Sequence, residues 1–172
     1  FRALSRISEI EAKRRVAGFA AVDPAPILRQ IASLYEPLAL QGSITLALVA
    51  PEDHAIECDP ELLFEAIGNL VDNAVKFTPP GGHVTIELDR AAQGPRICVS
   101  DTGPGIAESQ RKLVLQRFYR TAEMRAVPGS GLGLSLVDAI VRLHDFALAI
   151  EENEQGGTRV RLLCWPQTVL LG

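Results

Sequence analysis

Residues Pro60–Phe77 read PELLFEAIGNLVDNAVKF, and the reading of this stretch decides the fold. Asp59 is a favourable N-cap and Pro60 suits the first helical position, so the sequence predicts a helix that begins there. Thr78-Pro79-Pro80-Gly81-Gly82 stops it. Leu63, Ile67, Leu70 and Ala74, flanked by Leu62, Ala66 and Val71, recur at helical spacing and predict a broad core face. Another stripe carries Glu65, Asn69, Asn73 and Lys76, with Asp72 beside it. Asparagine is poor inside a helix because its amide competes for backbone hydrogen bonds, so two of them one turn apart call for a reason. A helix that offers amide oxygens to a hard cation and a lysine to phosphates is one reason. An ordinary solvated face is the other, and the stripe alone does not separate them.

Downstream, Val84–Leu88 and Arg96–Ser100 alternate as a strand pair, and Ser100 leads into Asp101-Thr102-Gly103-Pro104-Gly105-Ile106. A carboxylate at a strand end followed by two glycines suits a pocket that a flat ligand approaches closely. A glycine turn with an Asx hydrogen bond explains the same residues without a ligand. Glu108–Gln116 is a polar helix candidate, followed by Arg117-Phe118-Tyr119-Arg120 and an aperiodic loop at Thr121–Pro128. Gly129-Ser130-Gly131-Leu132-Gly133-Leu134 then opens an apolar helix, Leu134–Leu143. Glycines at a helix start expose N–H groups toward which the helix dipole draws an anion, and phosphate is the natural guest. The run follows a loop rather than a strand and lacks Gly-x-Gly-x-x-Gly spacing, which argues against a dinucleotide fold; a P-loop signature is absent. Phe146–Glu151 and Thr158–Cys164 close the chain as two strands around the Asn153–Gly157 turn, before an apolar tail, Thr168–Gly172.

Upstream, Ala55–Glu57 and Ile44–Val49 read as strands, and Ile27, Leu28, Ile31, Leu34 and Leu38 mark a helix to about Leu40. Phe19–Val22 is a short strand candidate, and Phe1–Gly18 is charged and helical in character. At 172 residues the chain suits one domain with at most an appendage. It is 47% apolar and 22% charged, with a net charge of -4 that gives no support to a general nucleic-acid binder. No apolar run is long enough to span a bilayer. Cys58, Cys98 and Cys164 are scattered without metal-ligand spacing and read as reduced, buried thiols of a cytoplasmic protein. The start at Phe1 rather than Met suggests a piece of a longer protein, which is free to be membrane-anchored elsewhere.

Together the motifs resemble the ATP-binding catalytic domain of two-component sensor histidine kinases, in the superfamily that includes gyrase, heat-shock chaperone and mismatch-repair ATPases. Asn69–Pro79 resembles the asparagine box, Asp101–Ile106 the first glycine box, Arg117–Arg120 the phenylalanine box and Gly129–Leu134 the second glycine box. Gly157-Thr158 within a final strand is also similar. The resemblance implies an α/β (α+β) two-layer sandwich of the Bergerat type, with a mixed, mainly antiparallel sheet and helices on one face. It implies residues 19–166 as the catalytic domain, residues 1–18 as the end of a dimerisation helix, and residues 167–172 as a tail.

The resemblance also implies the cofactors ATP and Mg²⁺. Asn73 would ligate Mg²⁺, with Asn69 and Lys76 near the phosphates as its catalytic companions. Asp101 would accept from the adenine amino group with help from Thr158, while Gly103, Gly105 and Ile106 shape the adenine pocket. Gly129, Gly131, Leu132 and Gly133 would wrap the phosphates at the end of a lid over Ala107–Ser130, with Phe118 packing the lid base. The implied partners are a dimerisation domain bearing the phosphoacceptor histidine, a response regulator, and a second copy in a full-length homodimer. His54, His83 and His144 lack the acceptor context, so the acceptor is expected outside this chain. Two rivals stand beside this reading: an ATP hydrolase of the same superfamily, and a non-catalytic nucleotide-binding module. The hydrolase would carry a carboxylate one turn before the metal asparagine, where this chain has Asn69.

Overall fold

A computed structural model describes residues 2–12, 18–51 and 54–168 of the chain. Helix α3 is Pro60–Phe77, as the sequence predicts. Asp59 caps it by accepting from the N–H groups of Glu61 and Leu62, and the N–H of Thr78 closes it onto the carbonyl of Ala74. Its predicted apolar face, including Leu63, Ile67, Leu70 and Ala74, is buried. Each buried leucine or isoleucine side chain of this face contributes about 1.5–3 kcal/mol from the area it removes from water.

That face packs on a five-stranded sheet of β2 (Thr45–Val49), β4 (His83–Arg90), β5 (Pro95–Asp101), β7 (Thr158–Leu163) and β6 (Ala147–Glu152), in that spatial order. β2 pairs parallel with β4, and the remaining neighbours are antiparallel, so the sheet is mixed and mainly antiparallel as expected. The register sets Ile86 beside Val99 and Val99 beside Val160, one apolar ladder under the helices. The alternate positions set Glu87 beside Cys98 and Cys98 beside Arg161 on the opposite face. Helices α2 (Ala25–Gln41), α3 and α5 (Gly133–Leu143) cover the apolar side. The strand candidates at Phe19–Val22 and Ala55–Glu57 form a separate antiparallel pair, β1 (Ala20–Val22) with β3 (Ile56–Cys58).

The amino-terminal helix α1 (Arg2–Ala12) lies against α5, burying Ile7 and Ile10 in the same core. Arg6 donates to Glu65 of α3 at 3.1 Å, and Arg117 donates to Glu11 at 2.9 Å. The end of the predicted helix, residues 13–17, lies outside the described residues, as does the tail beyond Thr168. Thr168 itself is tied to Asp145, whose carboxylate accepts from its backbone N–H and its hydroxyl. Asp145 has φ 55°, so an aspartate supplies the left-handed turn after α5.

Three expectations fail between β5 and α5. The helix expected over Glu108–Gln116 is two separate 3-10 turns, Glu108–Gln110 and Leu113–Leu115. Only Val114 of these turns is buried, and so short a helix needs a packed face to persist. Thr121–Pro128, read as a loop, contains a short helix α4 (Ala122–Arg125), capped by the Thr121 hydroxyl accepting from the N–H of Met124. Phe118 does not pack the lid base: the residue is 61% exposed. Its φ of 65° turns the chain there, and the contact is made by the backbone, Phe118 N–H donating to the Gly131 carbonyl at 2.9 Å.

Candidate functional site

Two adjoining cavities open between α3, the segment after β5 and the start of α5. The first is polar, about 160 Å³, and is lined from α3 by Asn69, Asp72, Asn73 and Lys76. Tyr119, Arg120, Gly129, Gly131 and Gly133 line its other side. The second is more apolar, with Leu70, Ala74, Val99, Ile106 and Val160 as walls and Asp101, Gly105 and Thr158 at its end. Asn73, Phe77, Met124 and Leu134 border both. A ligand with a flat apolar head and a polyanionic tail fits this pair of cavities, its junction beside Asn73.

Helical periodicity explains the polar side. Asn69, Asn73 and Lys76 share one stripe of a helix whose opposite stripe is fixed in the core. The Asn69 amide nitrogen donates to the Glu65 carbonyl at 2.8 Å, which leaves its oxygen directed toward Gly133. Among the described residues the Asn73 side chain makes no hydrogen bond, so its amide is available to a guest. Lys76 Nζ lies 2.6 Å from the Asp72 carboxylate. Glu65, on the same stripe, turns away and pairs with Arg6.

At the other end, Asp101 Oδ1 accepts from the N–H of Gly103 at 2.8 Å and of Thr158 at 3.2 Å. Oδ2 accepts nothing among the described residues. Burial pushes the Asp101 carboxyl above the usual carboxylate range, and the two backbone donors oppose that shift. The Asp101 carbonyl is held by the Asn153 amide at 2.9 Å. Gly157 packs so closely that a Cβ there would sit 2.1 Å from the Asp101 carbonyl oxygen, and its φ is 95°. Only glycine closes this corner.

Most predicted site residues therefore meet at the two cavities. Two do not. Gly103 lines neither and acts through its N–H on Asp101, while a Cβ there would be 2.9 Å from the Phe77 carbonyl. Leu132, expected among the phosphate-wrapping residues, is buried in the core. As a leucine at a helix start it goes where apolar area is removed from water.

Arg120 has a role that no local sequence pattern announces. Its Nη1 donates to the Gly129 carbonyl at 2.9 Å, and its Nη2 donates to the carbonyls of Met124 and Val127. One guanidinium thus folds residues 120–129 into a wall of the polar cavity. Tyr119 and Met124 line the polar cavity and Asn153 holds the Asp101 carbonyl, again without a local signature. Their positions depend on the lid path and on β6–β7 geometry, for which no local pattern speaks.

The donors fit a magnesium nucleotide. Among the described residues no cluster of three His, Cys, Asp or Glu side chains could hold a metal unaided. The uncommitted Asn73 amide suits Mg²⁺, which keeps waters and takes few protein ligands beside substrate phosphates. The start of α5, with glycines at 129, 131 and 133, presents backbone donors to an anion.

Residues 58–169 match the family described as histidine kinase-, DNA gyrase B-, and HSP90-like ATPase. The signal transduction histidine-protein kinase/phosphatase MprB of Mycobacterium tuberculosis (strain ATCC 25618 / H37Rv) is 51% identical over 90 residues, which is 52% of this chain and 18% of that protein. The chain therefore spans about a fifth of the length of this curated relative. Among solved structures, full-length ShkA in complex with AMPPNP superposes with a TM-score of 0.81 at 28% identity, over 93% of this chain and 34% of that one. The mycobacterial sensor histidine kinase MprB superposes with a TM-score of 0.72 at 29% identity, over 84% of this chain and 95% of that one.

Proposed function

Because the chain belongs to the family of histidine kinase-, DNA gyrase B- and HSP90-like ATPases, we propose that it is the Mg-ATP-binding catalytic domain of a sensor histidine kinase. The observation that carries this reading is the pair of joined cavities. Asp101 with a free oxygen closes the apolar one, and Asn69, Asn73 and Lys76 line the polar one. Adenine enters the first with its amino group on Asp101 Oδ2, and the triphosphate lies in the second. ShkA, described in complex with AMPPNP, is a structural neighbour that holds an ATP analogue.

Asn73 would hold Mg²⁺, which supplies charge neutralisation on the phosphates when bound. The chain's own residues do the positioning. Asp101 and Thr158 fix the base, and Lys76 and the N–H groups at Gly129–Gly133 orient the phosphate chain. The polar cavity opens toward the lid, where an acceptor imidazole approaches. The bond from the γ-phosphorus to the bridging oxygen breaks as one to the imidazole nitrogen forms. ADP leaves, and the imidazole proton passes to solvent. Catalysis here is mainly placement and electrostatics. The acceptor histidine, supplied by a dimerisation domain of the same protein in a full-length homodimer, passes the phosphoryl on to a response regulator. The domain functions on the cytoplasmic side, whether or not the whole protein is membrane-anchored; no described helix is long and apolar enough to cross a membrane.

The hydrolase reading lacks its carboxylate, because Asn69 stands one turn before Asn73 and Glu65 is tied to Arg6. Incubating the chain and a histidine-bearing dimerisation domain with γ-labelled ATP tests the proposal. Acid-labile label on the added domain, lost in Asn73→Ala, is expected. Rapid release of inorganic phosphate without labelling would instead identify a hydrolase.

A further inference from the structure

The charged residues lining the polar cavity are Asp72, Lys76 and Arg120, and both cations are engaged within the protein rather than directed at a guest. Arg120 is committed to three backbone carbonyls of its own lid. Lys76 is committed to Asp72 at 2.6 Å, one helical turn away on α3. Asp72 itself places a carboxylate in the wall of a cavity that suits an anion. A site built only to attract phosphate gains nothing from such a group. A site built to admit phosphate together with a divalent cation does.

Resting on the nucleotide-binding reading above, we infer that Asp72 is a positioning residue that makes nucleotide binding conditional on the divalent cation. Without the cation, Asp72 holds Lys76 and repels the triphosphate. With it, the charge of Asp72 would be offset by the cation that Asn73 would hold, and Lys76 would be released to the phosphates. No bond is made or broken; the two charges of a pair are re-partnered. Tyr35 of α2 lies within electrostatic reach of Asp72, with its phenol pushed up mainly by burial and secondarily by that carboxylate. It is neutral near pH 7 and does not compete as a cation.

The test is calorimetric titration of the 172-residue chain with ADP and with ATP, in excess Mg²⁺ and in excess EDTA. The wild type is expected to bind metal-free nucleotide at least about tenfold more weakly than the magnesium form, the scale of one charge-assisted hydrogen bond. Asp72→Asn should narrow that ratio to about threefold or less, mainly by tightening metal-free binding; Asp72→Glu should restore it. Lys76→Gln gives an independent measurement, weakening binding about tenfold with Mg²⁺ and little without it. A merely structural Asp72 would alter the melting temperature and leave the ratio alone. An unchanged ratio in folded Asp72→Asn, or an equal loss for Lys76→Gln in both media, overturns the inference while leaving the nucleotide reading intact. Absence of Mg-nucleotide binding in the wild type overturns both.

Discussion

The two walls of the polar cavity are built on different principles. Helix α3 carries Asn69, Asp72, Asn73 and Lys76 on one stripe and anchors the other in the core, with both ends capped. The lid opposite has two single 3-10 turns and one four-residue helix, and Val114 and Thr121 are its buried residues from 107 to 130. Its shape depends on the Arg120 guanidinium more than on apolar burial. Under the nucleotide reading, the metal and phosphate groups sit on the wall anchored in the core, and the opposite wall has few buried residues to hold it. Preorganised groups need no rearrangement at the moment of reaction, whereas a ligand must still enter and leave.

Truncation of side chains gives the largest contrast. Ile67 on α3 is fully buried, so Ile67→Ala should destabilise the fold by about 2–5 kcal/mol through lost burial and a residual cavity. Phe118→Ala in the lid removes a larger side chain from a residue that is 61% exposed and should change stability by no more than about 0.5 kcal/mol. Urea unfolding of the two variants measures both. A comparable loss for Phe118→Ala would mean that the lid is part of the cooperative core.

Next in size is the Asp101 end of the apolar cavity, which is fixed by β5 and by the N–H groups of Gly103 and Thr158 rather than by the lid. Under the nucleotide reading, Asp101→Ala should weaken ATP by about ten- to a hundredfold, the value of a hydrogen bond to a charged group, and erode preference over GTP. Equal affinity of the wild type for ATP and GTP would remove Asp101 from base recognition.

The same division explains what could be read in advance. The bounds of α3, its core face and its polar stripe follow from local spacing, because both periodicity and capping are written within a few residues. The placement of Asp101 and of the glycines at 105, 129, 131 and 133 on the cavities was legible for a similar reason: strand ends and helix starts carry short signatures. The lid was misread at Glu108–Gln116 because a polar run with helical composition gives no sign that only Val114 will find a core. Arg120 was visible as a residue but not as an organiser, since its three carbonyl partners come from a path that no spacing encodes. Leu132 was assigned by its place in a motif, and the core claimed it instead. Gly157 needed the approach of the Asp101 carbonyl, 52 residues away from Asn153 that holds it, before its role could be seen.

A smaller effect is expected from Arg120→Ala. Loss of three carbonyl contacts by a partly exposed guanidinium should cost about 1 kcal/mol, felt as local opening of the lid rather than global unfolding. Amide exchange at Phe118, whose N–H donates to Gly131, should accelerate by about fivefold, while α3 amides keep their protection. Equal acceleration in α3 would show that the two walls open together.

The smallest effect is expected at His144, at the end of α3 remote from the lid, and it is confined to mildly acidic pH. His144 caps the end of α5 and is buried against Phe19, their rings stacked at 4.6 Å. Its Nδ1 lies 2.7 Å from the Ile140 carbonyl and donates to it, which leaves Nε2 to accept from the Asp59 N–H at 3.0 Å. Asp59 is also the N-cap of α3, so one neutral imidazole ties the start of that helix to the end of α5. Burial lowers the His144 pKa from 6.5, against a smaller opposing pull from the Ile140 carbonyl and from Asp59. Because the folded pKa lies below the unfolded one, the unfolded chain binds the proton more readily. The contribution of His144 is therefore fully present above about pH 6.5 and is lost as pH falls from there through the folded pKa. Protonation would also turn Nε2 into a donor facing the Asp59 N–H, so acid should loosen the start of α3 first. Stability measured from pH 7.5 to 5.5 should fall more in the wild type than in His144→Gln, which cannot titrate, and exchange at the Asp59 amide should rise before that at Phe118. If the lid amide responds first, the rigid wall is not the pH-sensitive one.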